Sequence, residues 1–215
     1  MKITRRESIK TIVSAVGAPF LLGGEVLAAD KFEFSEELSG HITEGIFDFK
    51  RGEEIGKNKI GFKGAIVIDD LDRFEEDPGH AARFEGNLAY NGHNYPIDRG
   101  KVKLFTSGYY RQTRDLVYLL PFSIANRQYV LCGYKQVRLL SPSKAGIVHD
   151  MTTLYTHLHK GALGGTLESP QLGDMMGAGI MHFDVKDVPG LVASCRPLTA
   201  FWRFVIIILG DMVTR

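Results

Sequence analysis

From residue 39 onward, apolar and polar positions alternate in short runs that end at glycine, proline, asparagine or aspartate. A period of two is the side-chain spacing of a strand with one buried face. It predicts strands over residues 39–49, 59–68, 82–90, 101–106, 115–122, 128–138, 152–160 and 177–185. Asn91-Gly92 directly after the third run is a hairpin signal, because both residues accept the positive φ of a type I′ turn. Runs this short and regular predict an all-β fold, an antiparallel eight-stranded sandwich or lipocalin-like barrel with short helices. Two segments look alike, 64–72 and 179–187: each opens on glycine, runs through apolar residues and ends at an aspartate able to cap a short helix. Pro78-Gly79 stops the first such helix, and Pro189-Gly190 stops the second or marks a loop.

The pattern changes at both ends. Residues 198–215 form an apolar tail whose stretch from Phe201 to Leu209 is apolar all round apart from Arg203. Crossing a bilayer takes roughly twenty apolar residues, so this helix is too short to span and is expected to pack against the sheet or a partner. Phe201, Trp202 and Phe204 are the candidate partner contacts. Residues 1–29 read as an export leader, with a basic start, a modest apolar run at 11–22 and small residues before Asp30. Within it, Arg5 and Arg6 resemble the paired arginines read by the twin-arginine (Tat) export machinery, which moves folded proteins. The expected organisation is a leader at 1–29, a β domain at 30–197 and the tail, with a periplasmic or secreted destination.

Charge narrows the function. Lys2, Arg5, Arg6 and Lys10 outnumber Glu7 and Glu25 in the leader, so its removal takes the formal charge from +1 to −1. A near-neutral domain lacks the surplus of cations on which nucleic-acid affinity rests, and nucleic acid is set aside as a partner. The two cysteines, Cys132 and Cys195, can pair in an oxidising compartment, although buried free thiols are the simpler reading.

Candidate chemistry is sparse. The acidic residues Asp69, Asp70, Asp72, Glu75, Glu76 and Asp77 lack the alternation of an EF-hand loop and fit helix capping and a solvated face better. His157 and His159, two apart on a strand, share a face with Tyr155, opposite Leu154 and Leu158. Such a pair ligates a metal only if a third ligand, such as His149 or His182, arrives from elsewhere, and a polar sheet surface is the simpler account. No nucleophile elbow is present, and the glycine-rich stretches at 161–165 and 173–179 do not spell a dinucleotide fingerprint, so no catalytic residue, metal or cofactor is assigned. Strand aromatics line either a core or an apolar cavity. Tyr118, Tyr134 and Tyr155, with His157 and His159, are the candidate ligand-binding residues.

Several stretches resemble a β-rich accessory module of large bacterial cholesterol-oxidase-like flavoproteins of the GMC class. They are Ile68-Asp69-Asp70-Leu71-Asp72-Arg73-Phe74, Asp77-Pro78-Gly79-His80-Ala81-Ala82, Gly86, Gly100-Lys101-Val102-Lys103-Leu104-Phe105, Leu131-Cys132-Gly133-Tyr134-Lys135, Thr152-Thr153-Leu154-Tyr155 and Gly179-Ile180. The resemblance runs loosely over residues 38–210 and its motifs are structural. It implies a steroid or lipid setting without the oxidase activity, whose nucleotide-binding motif this chain lacks. The expected function is an exported, non-catalytic β domain that binds a hydrophobic small molecule or docks onto a steroid-oxidising redox partner. The alternatives are a part of a steroid-alcohol oxidase system and a metal-dependent enzyme built on His157 and His159.

Overall fold

The computed structural model describes residues 31–108, 113–138 and 144–214; the leader, with Arg5 and Arg6, lies outside them. The strands are β1 (Phe32–Glu44), β2 (Asn58–Ile68), β3 (Ala81–Tyr90), β4 (His93–Pro96), β5 (Gly100–Ser107), β6 (Thr113–Ile124), β7 (Arg127–Arg138), β8 (Thr153–Lys160), β9 (Gly164–Gly165), β10 (Pro170–Gln171) and β11 (Asp174–His182). Eight of them pair antiparallel around the ring β2-β1-β11-β8-β7-β6-β5-β3, which closes because β2 also pairs with β3. The result is a closed barrel rather than a sandwich. β4 adds to one half of β3, and β9 with β10 forms a separate two-stranded ribbon.

Among the described residues, five helices decorate the ring: α1 (Phe49–Ile55), α2 (Leu71–Glu76), α3 (Lys144–Thr152), α4 (Val188–Ser194) and α5 (Leu198–Thr214). Both expected aspartate caps are present. Asp70 accepts from the backbone N–H of Asp72 and Arg73 at the start of α2, and Asp184 accepts from Lys186 N–H at a 3-10 turn, Val185–Asp187. Asn91 and Gly92 sit at φ 50° and 82°, as a type I′ turn requires.

The first strand departs from expectation. It spans Phe32–Glu44 rather than 39–49, and Asp48 instead caps α1 by accepting from Arg51 N–H. The missed half carries Glu36 on its buried face, flanked by exposed Ser35 and Glu37, so its alternation reads as polar. The last strand likewise ends at His182, before the Asp184 cap.

Side chains that alternate inward fill the ring with Ile42, Ile60, Phe62, Phe84, Leu88 and Leu120 among many others. One end is sealed by α5. The Phe204 ring lies 5.0 Å from Phe32, 5.7 Å from Phe34 and 5.9 Å from Phe74, and Arg203 pairs with Asp72 and Glu75 of α2. Burying a phenylalanine ring contributes about 1.5–3 kcal/mol, so this contact is what holds the helix across the barrel end. No described helix is long and apolar enough to cross a membrane.

Candidate binding site in the barrel lumen

β1 and β6 lie four strands apart around the ring in either direction, so they face each other across the lumen. At one level they touch: the Tyr118 hydroxyl of β6 donates to Glu36 Oε2 of β1 at 2.8 Å. From β7, Lys135 Nζ donates to Glu36 Oε1 at 2.7 Å and stands 5.5 Å from the centre of the Tyr118 ring. The three are 7, 1 and 2 % exposed, and two further buried polar residues stand at inward registers, Arg114 of β6 at 2 % and Thr156 of β8 at 0 % exposed. Burial, with the Glu36 charge behind it, drives the Tyr118 hydroxyl well above its ordinary pKa, so it stays protonated and donates.

Both carboxylate oxygens of Glu36 are engaged, whereas Lys135 uses one of its three N–H donors on the protein and turns a second side to a ring. The Glu36 and Lys135 charges match each other, and Arg114 lies one inward step along β6 beyond Leu116, the residue paired with Lys135. Around the cluster, Phe62 packs 5.6 Å from Tyr118 and 5.2 Å from Phe84. At the barrel end remote from α5, Phe122 lies 6.0 Å from Tyr95 and 5.6 Å from Tyr129, and both tyrosines are only partly buried. Phe122 is four residues along β6 from Tyr118, and Tyr129 six along β7 from Lys135; at about 3.3 Å per residue the polar cluster lies roughly 13–20 Å below this aromatic rim.

Of the residues expected to bind a ligand, Tyr118 alone reaches the lumen. Tyr134, Tyr155, His157 and His159 point outward, the last three on one face as the pattern predicts. Tyr134 accepts a hydrogen bond from Gln136 Nε2 at 2.8 Å, and burial together with Asp115 keeps its hydroxyl protonated. Helix α1 covers the outward face of β8 and β11. Phe49 stacks on His157 at 4.4 Å and meets Tyr155 edge-on at 5.4 Å. Gly52 permits this approach, since a Cβ there would fall 2.0 Å from the Ala178 carbonyl oxygen. His157 donates to the Phe47 carbonyl, and burial followed by its neighbour His159 holds its pKa below the usual value. His159 Nδ1 lies 3.0 Å from the Gly173 carbonyl oxygen.

The proposed third ligands have other partners, His149 with the Thr153 hydroxyl at 3.3 Å and His182 with Glu53 at 2.7 Å. Among the described residues no group of three or more His, Cys, Asp and Glu converges on a metal-sized point. The acidic run is absorbed by Asp70 and Asp77 capping backbone and by Asp69 pairing with Arg83. Both cysteines are free thiols, pushed up to about 11 by burial and so protonated near neutral pH. On α5, Phe201 and Phe204 are buried against the barrel and Trp202 is half-buried, while Leu198 and Ile206 are 57 and 68 % exposed.

Sequence reasoning missed Glu36 and Lys135. Their signal was register: Glu36 sits between Phe34 and Leu38, and Lys135 between Gly133 and Val137, each at an inward step of its strand.

The molecule is thus a closed eight-stranded barrel with a buried Glu36–Tyr118–Lys135 cluster inside it. No protein-family description, curated protein or solved structure matches the chain.

Proposed function

We propose that this chain is a non-catalytic binding barrel for a hydrophobic small molecule of the steroid or lipid class, with Lys135 as the polar anchor. The observation that carries the reading is the Glu36–Tyr118–Lys135 cluster buried in the lumen. Desolvating an ion pair costs several kcal/mol per ion, and apolar residues of similar volume would usually serve stability as well or better. A barrel that keeps such a pair uses it for something other than packing. A buried donor among apolar side chains suits a molecule with a single oxygen function, provided that those packed side chains move aside to admit it. Phe62 and Tyr118 meet across the lumen, so ligand entry at the aromatic rim requires these rings to rotate, and binding is slow. The steroid setting comes from the likeness at residues 68–82 and the other quoted stretches.

The test is native mass spectrometry of the full chain after incubation with cholesterol delivered from cyclodextrin. One retained sterol per chain, lost in Lys135→Met while the fold persists by circular dichroism, supports the reading. Failure to retain cholesterol or any lipid from a bacterial extract removes it. A second reading, docking onto a redox partner, is favoured by the exposed Leu198 and Ile206 on α5. It predicts that Ile206→Glu abolishes association with such a partner while leaving sterol retention intact.

A further inference from the structure

The outer wall is interrupted beside α4, and we infer that the gap is a second binding site, separate from the lumen, for a small organic ammonium ion with an apolar body. β1 pairs with β2 from Phe32 to Ile42 but with β11 only from Ser39 to Glu44. Past His182 the chain leaves the sheet, and α4 lies along the uncovered edge of β1. There Ser35 N–H donates to Ser194 Oγ at 2.7 Å, and Glu33 and Arg196 exchange backbone hydrogen bonds at 2.9 and 2.8 Å. Between helix and ladder a cavity of about 250 Å³ is left, with an apolar wall of Phe183 and Leu191. The charged residues that line it are Glu36, Glu37, Lys63 and Asp187. Glu36 is matched from inside by Lys135. Lys63 pairs with Glu37 at 2.8 Å, and that hydrogen bond, with a weaker contribution from the charge of Asp187, raises the Lys63 pKa above its ordinary value. Asp187 stands at the start of α4 without making a side-chain cap bond. Lys186 and Asp184, the adjoining charges, pair with each other at 4.0 Å. Two carboxylates therefore share one lysine, and both members of the Glu37–Lys63 pair are more than half exposed, where an ion pair contributes little and exchanges readily. A ligand ammonium that replaces Lys63 beside Glu37 and Asp187 rests its hydrocarbon part on Phe183 and Leu191. A neutral ligand gains only the apolar wall, and an anion meets the surplus carboxylate, so the preference comes from charge as well as fit.

The test follows the backbone amides of the full chain by NMR while benzylammonium, benzyl alcohol and benzoate are added separately at about pH 7, where an alkylamine is protonated. The expected result is saturable shifts at residues 35–37 and 187–191, with benzylammonium binding at least about tenfold more tightly than benzyl alcohol, a gap of about 1.4 kcal/mol, and benzoate weakest. Gly190 lines the cavity and a Cβ there meets no atom within 4 Å, so Gly190→Leu fills the space without a clash and should abolish the shifts. Should that variant fail to fold, Glu37→Gln with Asp187→Asn, both exposed, serves in its place and should bring the amine down to the affinity of the alcohol. Equal wild-type binding of benzylammonium and benzyl alcohol, or no shift at about 10 mM amine, overturns the inference. Shifts that persist unchanged in Gly190→Leu place the amine elsewhere and overturn it too.

Discussion

The lumen and the outer wall beneath α1 hold their ionisable groups in opposite ways. Inside, Glu36 and Lys135 are largely shielded from water and depend on each other and on Tyr118. Outside, His157 lies under Phe49 of a short helix with His159 beside it, and each is satisfied by a backbone carbonyl. Residue type alone favours the histidines, which carry the familiar metal and acid-base chemistry. The pleat decides otherwise, because an inward charge is costly and an outward one is not. Charges at inward registers of a β-barrel are therefore the better guide to where its chemistry is held.

This contrast can be broken most forcefully at Glu36. Glu36→Gln leaves a buried ammonium without its counterion and should destabilise the fold by about 3–5 kcal/mol, read from the midpoint of urea unfolding. Replacing the pair together, Glu36→Leu with Lys135→Met, should be close to neutral or stabilising, and a loss as large as the single variant's would show that the pair is a net stabiliser. On the outer wall, Gly52→Ala forces a methyl group against the Ala178 carbonyl and should lift α1 away at a cost of about 1–3 kcal/mol. Faster amide exchange at 49–55 with unchanged exchange in the strands would confirm that the wall and the lumen are independent.

The smallest effect concerns pH. The folded pKa of His157 is held below its unfolded value of about 6.5, so the unfolded chain takes up the proton first as pH falls. Its contribution is therefore complete above about pH 6.5 and is lost progressively below it, levelling off once the folded histidine also protonates. His157→Gln should flatten that part of the stability profile, and an unaltered slope would assign the acid sensitivity to other groups.

Much of the barrel could be read from alternation, since seven of the eight predicted runs fall on the strands β2, β3, β5, β6, β7, β8 and β11. Local chemistry was legible too, in the Asn91-Gly92 turn and the Asp70 and Asp184 caps. What failed was the first strand, and for the same reason the site was missed: Glu36 breaks the apolar pattern because it has a partner 99 positions away in Lys135. A pairing of that range leaves no local trace. Helix α1 was hidden similarly, since only Gly52 against the distant Ala178 explains why a seven-residue helix docks there.

The way the ring shuts has a consequence for how the chain is made. β1 is joined on one side to β2 and on the other to β11, with Ile42 opposite Gly179. During synthesis, the first strand to leave the ribosome keeps one bare edge until almost the whole polypeptide has followed it. Unpaired edges invite association with other chains, and contacts this distant in sequence form slowly. Any truncation before β11 would therefore yield a curled open sheet with two sticky margins, so nascent chains of this protein need shelter until their final strand arrives.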